Sequence, residues 1–149
     1  MRIRRIEGRL PGSFHSLLDA ASNEGVRNMN LLTEGWLSGE QRFDTGGAAL
    51  FGAFDGSCLV GIGGITAEPG LAEPAMRMRR FYVRPDWRRR GVARCLADAA
   101  MAHGLARVSV LTCNARATAL AGPFWEAMGF APVEAEGMTH IYRAAGRSR

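Results

Sequence analysis

Residues 77–104 read RMRRFYVRPDWRRRGVARCLADAAMAHG. β-Branched and aromatic side chains in an extended pattern predict a strand over residues 77–83, which Pro85 ends because proline cannot donate to a ladder. Asp86 and Trp87 make the turn. After Gly91 the apolar residues Val92, Cys95, Leu96 and Ala99 follow the i, i+3, i+4, i+7 spacing of one helix face. Gly104 stands where a left-handed C-terminal cap is expected.

The chemistry concentrates where strand meets helix. Arg88, Arg89, Arg90, Gly91, Val92, Ala93 and Arg94 set guanidinium groups, a glycine and a small residue at a first helical turn. The leading N–H groups of a helix have no internal partner, and the helix dipole favours negative charge there. Gly91 lets a ligand approach the backbone, and Ala93 leaves the space open. Such a mouth is a cradle for pyrophosphate, to which arginine adds charge-assisted contacts.

Around this stretch, the 149 residues fit one domain, expected over residues 1–145 with a frayed basic tail at 146–149. Hydrophobic content of 47% and charged content of 22% suit a globular protein with a real core. No apolar run approaches a membrane span and the first ten residues are charged, so the expected compartment is the cytoplasm. Cys58, Cys95 and Cys113 match neither a zinc spacing nor a disulfide framework and are expected as buried small hydrophobes. No His/Cys/Asp cluster has ligand spacing, so no metal is expected.

The basic residues are all arginine, which excludes lysine Schiff-base chemistry. Residues 77–94 hold eight arginines against Asp86 alone, whereas the whole chain carries a net +5. The positive charge is therefore a local patch for a polyanion. Nucleic acid is a poor fit, because the helix after Gly91 presents Val, Ala, Cys and Leu instead of base-reading or stacking side chains.

Before the stretch, residues 1–7 read as a strand. Ser13 is placed to cap a helix whose stripe is Phe14, Leu17, Leu18 and Ala21. A second helix is expected over residues 28–38, carrying Met29, Leu31, Leu32 and Trp36. Strands over 48–54 and 58–66 join at Asp55-Gly56, a hairpin dipeptide. The glycines at 52, 61, 63 and 64 mark bulges or a close ligand approach. After it, residues 106–112 read as a strand parallel to the one before the helix. A helix then runs from beyond Asn114 toward Met128, broken or restarted at Gly122-Pro123 and capped by Gly129. Strands over 130–134 and 139–143 close the chain.

The Arg-x-x-Gly-x-Ala run of Arg88, Gly91 and Ala93, preceded by Arg80-Phe81-Tyr82-Val83-Arg84-Pro85, resembles the acyl-CoA-binding core of the GNAT N-acetyltransferases. The order β-α-α-β-β-β-α-β-α-β-β is the one this resemblance implies. The fold expected is α/β (α+β mixed sheet): a twisted sheet of six to seven strands flanked by about four helices. The resemblance also implies acetyl transfer from acetyl-CoA to an amine, on a small molecule or a protein, by direct attack in a ternary complex (acyltransferase, EC 2.3.1 type). Pantetheine would lie along the open edge of the strand at Phe81, Tyr82 and Val83, with Asn114 as a further contact. Lookalikes also pair or exchange their final strands into homodimers. Neither nucleic acid nor a membrane is an expected partner.

Two departures weaken the catalytic pattern. Phe124-Trp125-Glu126-Ala127-Met128-Gly129-Phe130 resembles the family's Phe-Tyr-x-x-x-Gly-Phe segment, with Trp125 where a tyrosine usually faces the sulfur. Indole has a donor N–H but no titratable proton. The family's asparagine seven residues earlier is replaced by Thr118, and Asn114 lies eleven residues before Trp125. Catalytic candidates are thus Asn114, Trp125 and Tyr142, and acceptor-pocket candidates are Glu34 and Trp36. The absent tyrosine keeps open an alternative, a CoA-binding sensor or interaction protein without transfer activity.

Overall fold

Asp55 and Gly56 turn the chain as their chemistry predicts, with Gly56 at φ +60°. They join β2 (Ala49–Asp55) to β3 (Cys58–Ala67) in an antiparallel pair. The computed structural model describes residues 1–116 and 118–144, so the tail expected over 146–149 lies outside the described residues. The other elements are β1 (Arg2–Arg5), α1 (Phe14–Asn23), α2 (Asn28–Ser38), β4 (Met76–Val83), α3 (Val92–Leu105), β5 (Val110–Cys113), α4 (Ala121–Ala127), β6 (Ala131–Ala135) and β7 (Met138–Arg143). A 3-10 turn, Pro85–Trp87, leads out of β4. This is the expected order.

The strands form one mixed sheet in the order β1-β2-β3-β4-β5-β7-β6. Only the β4–β5 pairing is parallel, as the crossover through α3 requires. On one face α1 and α2 bury Leu17, Met29 and Leu32 against Leu50, Ile62 and Tyr82. On the other, Ala97, Ala100 and Met101 of α3 pack with Trp125 of α4 over Ile65, Met78 and Leu111. Burial of apolar area on both faces of the central strands is what makes β3 nearly continuous in apolar residues and glycine.

Several local expectations are corrected. The buried face of α3 is Val92, Leu96, Ala97, Ala100, Met101 and Gly104; Cys95 is exposed. Gly104 does not cap the helix. It lies inside it, where an added Cβ would come 2.5 Å from Ile65 Cδ1 and 3.0 Å from Leu111 Cδ2, so the glycine permits close helix–sheet approach. The N–H groups of Arg107 and Val108 both return to Gly104 O at 2.9 Å. That turn delays the next strand, so β5 begins at Val110 rather than near residue 106. The helix expected from Asn114 onward starts at Ala121, with Pro123 in its first turn, where a missing N–H breaks no helical bond. Ser13 makes no cap bond. Its Oγ donates to Ser57 O and accepts from Leu59 N–H, both at 3.0 Å, fastening α1 to the hairpin.

Gly129 caps α4 as expected. At φ +101° its N–H reaches Glu126 O, while Phe130 N–H reaches Trp125 O, both at 3.0 Å. The rings of Phe130 and Trp125 meet at 5.1 Å, the hydrophobic contact that accompanies this motif. The four hairpin glycines serve side-chain packing. A Cβ on Gly52 would meet Leu59 and Ile6, one on Gly61 would meet Val92, one on Gly63 Phe81, and one on Gly64 Phe43.

Candidate active site

The parallel pairing of β4 with β5 stops after two positions, Met76 with Leu111 and Arg77 with Thr112. Beyond it the strands part. A bulge lies on the other side of β4 just beyond this point: Arg79 pairs with Gly64 and Tyr82 with Ile62, so Arg80 and Phe81 stand opposite Gly63 alone. Arg80 takes up the kink at φ +61°. Phe81 swings its ring onto Gly63, where a Cβ would lie only 2.4 Å from the ring edge. The ring also meets Trp125 edge-on, with centroids 4.9 Å apart.

The backbone of β4 past the bulge faces the opening. Arg84 N–H donates to Val60 O across β3 at 2.9 Å, so strand alternation turns the polar groups of Phe81 and Val83 away from β3. Asn28 Nδ2 donates to Phe81 O at 2.7 Å, and Arg88 Nε donates to Val83 O at 3.0 Å. Between these walls is a cleft of about 430 Å³. Arg77, Arg79, Arg80 and Phe81 form its floor, Gly25–Asn28 and Leu31 one side, and Cys113, Asn114, Ala121 and Trp125 the other.

At the far end of β4 the mouth of α3 is open. No side chain caps the helix, and its first internal bond runs from Cys95 N–H to Gly91 O at 3.0 Å. The N–H groups of Val92, Ala93 and Arg94 therefore have no helical partner. Arg89 at φ +64° and Gly91 at φ +79° curl the preceding backbone inward, a concave arrangement of amides suited to an anion. A Cβ on Gly91 would meet nothing within 4 Å, so this glycine supplies the positive φ and leaves the mouth clear.

The arginines of this loop divide their work. Arg88 is held by Glu24, with Nη2 2.6 Å from Oε1 and Nη1 2.8 Å from Oε2, and its guanidinium lies 5.4 Å over the Tyr82 ring. Tyr82 donates its hydroxyl to the same carboxylate at 2.5 Å. Arg88 holds the Glu24 carboxyl below the ordinary range, and burial beside that carboxylate pushes the Tyr82 hydroxyl well up. Arg88 thus shapes the loop, while Arg89, Arg90 and Arg94 are exposed around it. Arg90 stacks on Trp87 at 4.7 Å.

The other sequence candidates separate clearly. Asn114 lines the cleft, and its Oδ1 accepts from Arg116 N–H at 3.2 Å in a local turn. Trp125 lines it too, locked edge-on among Phe81, Phe124 and Phe130. Tyr142 does not line it; its ring packs on Phe130 and over Gly129. Trp36 is buried in the core below α2, and Glu34 on the same helix is exposed, so neither reaches the cleft. Cys113 is buried at its wall, and burial pushes its thiol up to about 12, which leaves it a protonated, unreactive group.

Sequence reading missed the cleft's own polar groups. Arg27, Asn28, Arg77, Arg79 and Arg80 line it, so the charge patch of residues 77–94 divides into arginines in the cleft and arginines around the start of α3. The signal was present: charged residues at alternate positions of an inner strand have no solvated face to occupy. Burial, with Arg77 and Arg80 adding repulsion, lowers Arg79 to about 10. Also missed was a partly buried chain in which Nε2 of the buried His140 lies 2.9 Å from Oε2 of the half-exposed Glu126 and Nδ1 lies 2.8 Å from Thr139 Oγ1.

Residues 17–143 match the family model described as the acetyltransferase (GNAT) domain. The chain belongs to the GNAT acetyltransferase family. Solved structures carry the same fold as this acetyltransferase. A protein from Exiguobacterium sp. 255-15 assigned to the acetyltransferases superposes with a TM-score of 0.84 at 24% identity, covering 95% of this chain and 92% of the other. The PaiA N-acetyltransferase of Thermoplasma acidophilum, in complex with coenzyme A, gives 0.66 at 14% identity, covering 96% and 99%. The Bacillus subtilis N-acetyltransferase YlbP, also in complex with coenzyme A, gives 0.62 at 16% identity and 95% of both chains. Among curated proteins no sequence matches. No helix among the described residues is long and apolar enough to cross a membrane.

Proposed function

We propose that this acetyltransferase moves the acetyl group of acetyl-CoA to a primary amine by direct attack within a ternary complex. The observation that carries the reading is the open mouth of α3 standing at the end of the parted β4 and β5 strands. The amides of Val92, Ala93 and Arg94, with Arg89 and Arg90, bind the pyrophosphate. Pantetheine lies along Phe81 and Val83, whose backbone groups take the place of a missing strand, and Asn114 and Trp125 border the thioester.

In the transfer the amine nitrogen attacks the thioester carbonyl, the C–S bond breaks, and the amide and CoA thiol form. The proton lost by nitrogen balances the one gained by sulfur. Among the described residues the cleft wall holds no carboxylate, histidine or tyrosine to carry that proton. Its arginines instead lower the pKa of a bound ammonium, so that the neutral, nucleophilic amine enters the reaction and water takes the proton. Three free cysteines and no disulfide suit a reducing cytoplasm.

The same bare wall favours a second reading, a protein that binds acetyl-CoA without transferring its acetyl group. One pair of measurements separates the two. Acetyl-CoA raises the melting temperature under both readings, and release of free thiol with a panel of amines occurs only under the first. Absence of any thermal response to millimolar acetyl-CoA overturns both.

A further inference from the structure

We infer that the acceptor amine carries an oxyanion, a carboxylate or phosphate, which the arginine floor of the cleft binds. This deepens the reading of the site as an acetyltransferase centre and rests on it.

Among the described residues four guanidinium groups, those of Arg27, Arg77, Arg79 and Arg80, line the cleft with no carboxylate beside them. Strand alternation puts Arg77 and Arg79 on the face opposite Met76 and Met78, which pack under α3. The bulge brings Arg80 to the same side, where its Nη2 donates to Gln41 Oε1 at 3.3 Å. Arg79 Nε donates to Thr66 Oγ1 at 3.0 Å. Both partners are neutral. Glu68 acts on Arg79 from behind it, and its oxygens are already taken by Thr112 Oγ1 at 2.8 Å and Gly70 N–H at 2.9 Å.

Buried polar atoms are ordinarily hydrogen-bonded. Among the described residues four side-chain atoms are buried without a partner, and three of them belong to this cleft: Arg77 Nε, Arg80 Nε and Asn28 Oδ1. Two are donors and one is an acceptor. Asn28 is oriented by its bond to Phe81 O, which fixes Nδ2 toward the strand and leaves Oδ1 to accept. A ligand matching these atoms offers oxyanion acceptors to the arginines and an N–H to Asn28. Clustered guanidinium groups repel one another and lose hydration, which burial already registers at Arg79 and Arg80. A bound anion removes both costs, and a cationic or neutral amine removes neither.

The test keeps acetyl-CoA saturating and follows thiol release with two pools of small primary amines of matched size. One contains β-alanine and O-phosphoethanolamine, the other propylamine and ethanolamine. The anionic pool is expected to react at least tenfold faster, its two members separately telling carboxylate from phosphate, and the preference collapses in Arg77→Gln/Arg79→Gln. In parallel, inorganic phosphate raises the melting temperature of the acetyl-CoA-saturated wild type and not of that variant. The proposal is overturned by equal or faster reaction of the neutral pool, by reaction of neither pool together with no phosphate shift, or by a preference that survives the double substitution. Loss of acetyl-CoA affinity in the variant overturns it as well, since the arginines would then serve the cofactor. No thermal response of the wild type to acetyl-CoA instead removes the underlying acetyltransferase reading.

Discussion

Arg88 and Glu24, 64 residues apart, meet in a forked ion pair that Tyr82 joins through its hydroxyl. The pair ties the turn after β4 to the C-terminal end of α1, where Glu24 is the cap residue. It also engages the Arg88 guanidinium with Glu24 and Tyr82.

Breaking this pair has a pH signature. Arg88 depresses the Glu24 carboxyl below its ordinary 4.5, so the stabilisation is present above that value and is lost as pH falls through the depressed one. Both side chains are partly exposed, which limits the Glu24→Gln loss to about 1 kcal/mol near neutrality. Urea midpoints should differ between wild type and variant in neutral buffer and converge in acid. A gap that persists in acid would assign the loss to packing.

The free arginines make a different prediction. Arg89→Glu and Arg90→Glu should each weaken acetyl-CoA binding about tenfold, and the weakening should shrink as salt rises. Calorimetric titration at two ionic strengths reads both quantities. Thermal stability without ligand should barely move, because these side chains are exposed.

Labelling distinguishes the cysteines. Cys58 and Cys95 are exposed and Cys113 is buried with its thiol pushed up to about 12. Iodoacetamide on the native protein should modify the first two, and Cys113 only after denaturation, as mass spectrometry of the digests would show. Native labelling at Cys113 would mean that the cleft wall opens.

Gly104→Ala tests the helix–sheet contact through a sign reversal. Inside an exposed helix this change stabilises by roughly 1 kcal/mol. Here the new methyl meets Ile65 and Leu111, both fully buried, and overpacking at about 1–3 kcal/mol outweighs the propensity gain. A lowered melting temperature is expected; a raised one would show that Ile65 swings aside freely.

His140→Leu should destabilise by about 1 kcal/mol, because Thr139 loses a partner beside the buried ring while half-exposed Glu126 regains water. Thr139 Oγ1 also accepts Ala115 N–H at 2.8 Å, so the damage should spread to the end of β5. Faster amide exchange at Cys113 and Ala115 is the readout that a purely local defect would not give.

The sequence was legible wherever one local rule decided the outcome. Asp55-Gly56, the Gly129 cap and the strand–turn–helix around Gly91 each follow from backbone chemistry within a few residues, and the element order followed from them. The misread positions are those settled across long sequence distances. Gly104 answers to Ile65 and Leu111, and Ser13 to the hairpin at Ser57 and Leu59. The site divided along the same line. The helix start at Gly91 is a local motif and was read; a bulge at the hairpin glycines was read as well, but not that the one opposite Gly63 turns Arg80 toward Arg77 and Arg79.

The two-residue seam between β4 and β5 has a mechanical meaning. It leaves β1–β4 and β5–β7 as two plates sharing a short common edge, with α3 strapped across them. Acetyl-CoA bound in that crack, as proposed, would act as a splint. It would brace one plate against the other and so hold the width of the crack, and with it the reach from thioester to acceptor.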